Sequence, residues 1–302
     1  MAIMDRSQFS AALDAALRTA LHNNRLKRKK PVYGSIFNIE SSDRNKEYDR
    51  TFTGFLNIPE KPEGVRFEED DMKQGYETIY THLSYGLKAS VTHEMLEDDL
   101  HGVMKKIPIN MNIVLDKVVD LMGANVFNRA FNPTYLGGDG VVLCSAAHPL
   151  KKSGGTASNT LGAVDVSYSQ IQAGITKMQE TVDDSGIYVS MQPKILLIHP
   201  DNYWNVMKIL NSPGEPDTAN RNANTLSNQQ LQVIVWSYLS DADAWFLLAD
   251  KGEHQLKWYW REKPNTDTDY DKDVKAYLWY LYFRTICGWS DWRGVVGAAG
   301  SP

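Results

Sequence analysis

The chain has 302 residues, of which 42% are hydrophobic and 23% are charged, and its formal net charge is -5. This composition supports a buried core and excludes a wholly disordered chain. A protein that binds the phosphates of duplex DNA needs an excess of basic residues. The acidic net charge therefore excludes strong electrostatic binding of nucleic acid.

The first 30 residues carry two patterns. Apolar residues at i, i+4 spacing predict a short amphipathic helix over residues 9–21, with a stripe formed by Phe9, Leu13, Leu17 and Leu21. A basic cluster follows over residues 25–30, namely Arg25, Lys27, Arg28, Lys29 and Lys30. Such a cluster either contacts nucleic acid or an acidic neighbour, or forms a solvated hinge, and the sequence leaves both interpretations open.

Residues 46–92 predict a long β-hairpin with a charged tip. The strand-like segments are Thr51–Ile58 and Glu77–Thr92, and the second alternates polar and apolar residues as a half-exposed strand does. The tip contains the acidic run Glu68, Glu69, Asp70 and Asp71. A lone two-stranded hairpin is marginally stable in water, so this one predicts a partner chain to lie on.

A long helix is predicted from His93 to about Phe131. Thr92 is a suitable N-cap, and Pro108 is expected to kink or split the helix. At a rise of ~1.5 Å per residue, the whole segment would span about 50 Å.

The rest of the chain predicts a loop-rich segment over 132–162 and then a mixed α/β region over 163–262. Helices are predicted from Ser167 to about Thr181 and from Pro200 to Leu210. The predicted strands are Lys194–His199, Leu231–Trp236, Trp245–Leu248, Leu256–Trp260 and the long Val274–Gly288. Residues 289–300 are Gly-rich and predict short turns.

No pattern in the sequence predicts a catalytic, cofactor or metal site. Asp267, Asp269, Asp271 and Asp273 alternate as in a calcium loop, but the Gly and Glu that an EF-hand needs are missing, which favours a solvated acidic turn. Zinc-binding pairs, phosphate loops and a nucleophile elbow are also missing from the sequence. The cluster of Cys144, Ser145 and His148 allows a hydrolase hypothesis, although catalytic Cys and His are normally brought together by the fold. The sequence therefore predicts a protein that is not an enzyme and uses no cofactor.

Cysteines and tryptophans favour ordinary structural roles. Cys144 and Cys287 are expected to be free thiols in a reducing compartment. Seven of the eight tryptophans lie in residues 236–292: Trp236, Trp245, Trp258, Trp260, Trp279, Trp289 and Trp292. They favour core and subunit contacts, with an aromatic platform for binding carbohydrate or single-stranded nucleic acid as the alternative.

Charged residues near the N-terminus do not fit a signal peptide, and the apolar runs are too short to span a bilayer, so we expect a cytoplasmic chain.

The order of elements and several short motifs resemble the major capsid proteins of tailed bacteriophages, especially the Mu-like major head subunit. The motifs are Leu143–Pro149 (LCSAAHP), Ser158–Asn159, Pro193–Pro200 (PKILLIHP) and Gly288–Gly297 (GWSDWRGVVG). The resemblance implies an α+β tailed-phage major capsid fold with an N-arm, an extended β-hairpin loop, a long spine helix, and peripheral and axial domains. It assigns 1–45 to the N-terminal arm, 46–92 to the extended loop, 93–162 to the spine helix and peripheral loop, 163–262 to the axial domain, and 263–302 to closing strands.

The same resemblance implies a homo-oligomeric shell. Pentamers and hexamers would form an icosahedral head, assembled in the host cytoplasm around double-stranded DNA that the wall contacts only weakly. A separate scaffolding protein, a portal and decoration proteins are the expected partners, and no membrane is expected. Glu68, Glu69, Asp70, Asp71 and Arg293 are the predicted intersubunit contacts. The alternatives are an encapsulin-like compartment shell, a hydrolase using Cys144 or Ser145, and the aromatic binding module.

Overall fold

Alternating and aromatic-rich segments become strands, and the apolar-periodic segments become helices. The structure is a computed structural model that describes residues 31–56, 58–99, 106–212, 214 and 223–301. In chain order its elements are α1 (Tyr33–Ile36), β1 (Asn38–Ser41), β2 (Lys46–Phe52), β3 (Gln74–Thr81), β4 (Leu83–Thr92), α2 (His93–Glu97), α3 (Ile107–Asn128), β5 (His148–Pro149), β6 (Thr156–Ala157), β7 (Thr160–Gly162), α4 (Tyr168–Gln179), β8 (Pro193–Ile198), α5 (Tyr203–Asn211), β9 (Gln232–Val235), β10 (Trp245–Ala249), β11 (Leu256–Asp271), β12 (Ala276–Trp289) and β13 (Val295–Ala298). The predicted amphipathic segment 9–21 and the basic cluster lie outside the described residues.

The longest strands form a four-stranded sheet in the order β1-β11-β12-β4. β11 and β12 are antiparallel neighbours over nearly their whole length, and β4 pairs with the other edge of β12. The predicted acidic turn is wrong, because Asp267, Asp269 and Asp271 all lie within β11. The turn follows them at residues 272–275.

The predicted hairpin exists, but its strands have different bounds. β2 and β3 pair antiparallel from Lys46 opposite Thr81 to Phe52 opposite Gln74. The second predicted strand, Glu77–Thr92, is interrupted at His82, after which β4 leaves the hairpin and joins β12. Residues 53–73, which we call the tip, have no helix or strand among the residues described.

The predicted long helix is split. Thr92 caps α2 by accepting a hydrogen bond from the Met95 amide at 3.3 Å. α3 begins at Ile107 with Pro108 in its first turn, where proline is favoured. Its 22 residues give a length of roughly 33 Å, not the predicted 50 Å.

A second sheet has the order β7-β13-β10-β8-β9 and is covered on both faces. Side chains of its central strands alternate between two cores. One face contributes Leu197, Phe246, Leu248 and Val295 to a core shared with α3, while the other face contributes Leu196, Trp245, Leu247 and Val296 to a core shared with α4 and α5. The prediction that residues 289–300 form only short turns is wrong, because β13 pairs between β10 and β7 in this sheet.

Candidate intersubunit surface

The tip of the hairpin exposes large apolar side chains. Ile58 is 93% exposed and Phe67 is 81% exposed. The other exposed apolar residues of the tip are Phe55, Leu56, Val65 and Met72. Exposed apolar side chains concentrated in this way, next to charged residues, are typical of surfaces at which proteins interact.

Lys152 attaches the tip to the body of the chain. Its side chain is 5% exposed, and its Nζ lies 2.8 Å from Oδ1 of Asp70. The same Nζ donates to the carbonyl oxygens of Gly54 at 3.0 Å and Asp71 at 2.9 Å. The hydrogen bond from Lys152, together with one from the Leu56 amide, lowers the pKa of Asp70. Lys152 therefore connects both halves of the tip to the loop over 132–162.

The base of the hairpin makes further contacts with the loop over 132–162. Lys151 Nζ donates to the Gly75 carbonyl at 2.6 Å, and the Tyr76 hydroxyl donates to the Pro149 carbonyl at 3.3 Å. Gly138 packs directly against β3, since a Cβ atom there would lie 2.7 Å from the carbonyl oxygen of Glu77. This loop, which the sequence analysis left without structure, thus supports the hairpin.

Arg293 lies inside the chain. Its side chain is 11% exposed and contacts Asp184 at 3.0 Å and Asp291 at 2.9 Å. Burial lowers the pKa of the guanidinium, but the carboxylates of Asp291 and Asp184 outweigh this and raise it. Arg293 also donates to the Val182 carbonyl at 2.8 Å and stacks on Trp292 at 4.8 Å from the ring centroid.

The predicted contact residues therefore occupy different environments. Glu68, Glu69 and Asp71 are exposed on the tip, while Asp70 and Arg293 have ionic partners within the same chain. Their contact with another subunit stays a prediction for all five. Sequence reasoning missed Lys152, whose part in holding the tip depends on a contact between residues 82 positions apart.

His148, in the LCSAAHP motif, is the centre of a buried polar network. Its Nδ1 lies 2.7 Å from Oδ2 of Asp139, and its Nε2 lies 3.1 Å from Oδ1 of Asn159. The Asn159 amide nitrogen donates to the carbonyls of Leu143 and Val295, which fixes its oxygen toward His148. Both imidazole nitrogens therefore face side-chain oxygens, which fixes the orientation of the ring.

In this network His148 is not paired with Cys144 or Ser145, the two nucleophiles of the hydrolase hypothesis. Burial raises the pKa of the Cys144 thiol, which suppresses its nucleophilic thiolate. Ser145 Oγ accepts a hydrogen bond from the Ala147 amide at 3.2 Å. The second nitrogen of His148 is bonded to Asn159 and not to either of these nucleophiles.

Most tryptophans are core residues, as the sequence analysis favoured. Trp236, Trp245 and Trp258 are at most 1% exposed, and Trp260 and Trp292 are nearly as buried. Trp204 differs, with 74% of its surface exposed.

Within the described residues, no cluster of three His, Cys, Asp or Glu side chains is placed to hold a metal, and no helix is long and apolar enough to cross a membrane.

The family model described as phage capsid protein matches residues 75–298. The chain belongs to the phage capsid protein family. The match includes nearly all of β3, the strands β4, β11 and β12, the five-stranded sheet and the His148 network, but not β1, β2 or the tip. No curated protein matches the chain by sequence.

Solved structures share the fold at low sequence identity. The capsid of cyanophage P-SCSP1u is 8% identical, with a TM-score of 0.65, and the match covers 91% of this chain and 89% of that one. The capsid of bacteriophage JBD30 is 13% identical, with a TM-score of 0.60, and covers 75% of this chain and 99% of its own. A phage-related protein from Bordetella bronchiseptica RB50 is 12% identical, with a TM-score of 0.53 and coverages of 94% and 96%. The tailed-phage capsid fold predicted from the sequence is confirmed, while the specific likeness to the Mu-like subunit stays a prediction.

Proposed function

We propose that this chain is the major capsid protein of a tailed phage, and that its copies form rings of five and six that close into an icosahedral head around double-stranded DNA. The hairpin carries this proposal, because large apolar side chains of its tip are exposed to solvent in the single chain. Family membership supports the same function.

The tip would lie across an adjacent subunit. Such a contact is head-to-tail, since the tip of one copy meets a different surface of the next, and repeated rotation closes it into a ring. Lys152 would fix the projection angle, because it binds Gly54 and Asp70 on the two sides of the tip. Phe67 and Ile58 would supply the buried apolar anchors, and exposed Glu68 and Glu69 would supply charge contacts around them.

The five regions assigned from the sequence remain our proposal for the structural role of each part of the chain. Residues 1–45 act as the arm, 46–92 as the extended loop and 93–162 as the spine and peripheral part. Residues 163–262 then form the axial part and 263–302 the closing strands. The five-stranded sheet, with both faces covered, is a rigid base for contacts around a ring axis.

We further propose that assembly occurs in the host cytoplasm with a separate scaffolding protein, a portal and decoration proteins. The net charge of -5 suits a wall that encloses DNA without binding it tightly. Salt-sensitive, tight binding of duplex DNA by the free subunit would contradict this part of the proposal.

Photo-crosslinking from the tip tests the central contact. A photoreactive amino acid replaces Phe67, or Glu253 as an exposed control outside the hairpin. We expect crosslinks from position 67 to a peptide of a second copy, identified by mixing isotopically labelled and unlabelled chains. Crosslinks confined to the same copy would contradict the proposal.

Particle contents separate the phage shell from the encapsulin-like alternative. A phage head purified from its host contains double-stranded DNA, whereas a compartment shell contains cargo protein. DNA-free particles filled with a single cargo protein would favour the alternative.

A further inference from the structure

An apolar groove opens beside Pro31, the first residue of the chain that the structure describes. It has a volume of about 330 Å³ and lies between α1, β1, the first half of α3 and β11. Its apolar lining consists of Pro31, Tyr33, Ile39, Leu115, Val119, Trp260 and Pro264, and Lys263 also lines it. Ile39 is 48% exposed there. Ile109 is 58% exposed and precedes the lining residue Asp116 by seven positions, which places both on one face of α3.

Acidic groups border the same groove. Asp116 is part of its lining, and Oδ1 of Asp120 accepts hydrogen bonds from the amides of Val32 at 2.7 Å and Tyr33 at 3.2 Å. Burial raises the pKa of Asp120, and the nearby charge of Asp116 raises it further. Lys263 is the one cation in the lining, but within the part of the chain that the structure describes neither carboxylate forms an ion pair. Further cations brought close would therefore stabilise both carboxylates.

The chain outside the structure has the complementary pattern. The basic cluster over residues 25–30 immediately precedes Pro31, and therefore ends two residues before the Val32 amide that Asp120 binds. The apolar stripe of residues 9–21 lies closer to the N-terminus than this cluster. An isolated helix of this length is marginal in water, so the predicted helix needs an apolar surface to pack on.

We propose that residues 9–21 of the same copy cover this groove, with the apolar stripe on Ile39 and Ile109 and the basic cluster over Asp116 and Asp120. The connecting residues 22–30 reach at most about 30 Å when extended, which keeps the stripe near the groove. So short a tether gives an effective concentration in the millimolar range, which favours the copy's own arm over one from another molecule. The cover does not require the chain to assemble.

Engineered cysteines test the contact in the full-length free subunit at high dilution. We compare Leu17→Cys with Ile39→Cys against the control Thr19→Cys with Ile39→Cys, since Thr19 lies on the opposite side of the predicted helix. Mild oxidation is expected to form an intrachain disulfide at least tenfold faster in the Leu17 pair. Equal yields in the two pairs, no disulfide, or a disulfide chiefly between two copies would overturn the proposal.

Hydrogen exchange provides a second measurement that does not depend on disulfide geometry. Leu13→Asp with Leu17→Asp places two charges in the stripe, whereas Ala15→Asp with Thr19→Asp places the same charges on the opposite face. We expect amides of residues 107–119 in α3 to exchange several-fold faster in the stripe variant and at the wild-type rate in the control. Unchanged exchange in the stripe variant would overturn the proposal, as would equal acceleration in both variants.

Discussion

Arg293→Met is expected to destabilise the free subunit, because it removes the cation from a buried ionic cluster. The side chains of Arg293 and Asp184 are 11% and 6% exposed, and Asp291 is 16% exposed. Loss of the guanidinium leaves two carboxylates in a site that water barely reaches. Breaking a buried pair in this way costs about 3–5 kcal/mol.

Urea denaturation of the free subunit, followed by tryptophan fluorescence, measures this loss. With a slope of about 3 kcal/mol per M, the midpoint is expected to fall by roughly 1–2 M. Arg50→Met is the matched control, because its ion pair with Glu77 is exposed, with side-chain exposures of 52% and 29%. An exposed pair contributes at most about 1 kcal/mol.

A triple variant keeps the prediction testable if Arg293→Met does not fold. Arg293→Met combined with Asp184→Asn and Asp291→Asn removes the charges together and is expected to recover most of the midpoint. If Arg293→Met and Arg50→Met lowered the midpoint equally, the cluster would not stabilise the subunit in the way described.

Three further predictions concern the tip, its support and pH. Lys152→Met is expected to make the tip more sensitive to proteolysis while the urea midpoint of the body changes little, and an unchanged cleavage rate would refute the clamp. Gly138→Ala should lower the urea midpoint, because the new Cβ would lie 2.7 Å from the Glu77 carbonyl, and a wild-type midpoint would show that this approach is not tight. Burial lowers the pKa of His254 from 6.5 to about 4, so the unfolded chain binds more protons in this window and stability should fall by about 3 kcal/mol as the pH drops from 6.5 to 4. In His254→Asn the urea midpoint should depend less on pH across this range. An equal pH dependence in the variant and the wild type would refute the assignment of this loss of stability to His254.

The order of elements could be predicted because each has a local pattern. Thr92 before an acidic turn marked the start of α2, and the apolar run of β8 marked a buried strand. The LCSAAHP motif and Asn159 carried a resemblance, and the structure gives its physical reason, since His148 and Asn159 bind each other, Asp139 and the carbonyls of Leu143 and Val295.

Contacts between distant residues could not be predicted. β13 is too short and Gly-rich to show alternation, and it becomes a strand because β10 and β7 supply partners on both sides. Arg293 looked like a surface charge because the acids around it come partly from Asp184, 109 positions earlier. Lys152 gave no signal for the same reason, since Gly54 and Asp70 reach it only through the fold of the hairpin.

Particle size tests the central claim most directly. Light scattering and negative-stain microscopy of the purified chain, alone and together with the proteins encoded beside it, report whether copies assemble. Assembly through the tip predicts closed shells or rings of five and six subunits, and their loss when Ile58 and Phe67 are both replaced by Asp. A chain that remains a discrete 34.1 kDa monomer under both conditions would contradict its function as a capsid protein.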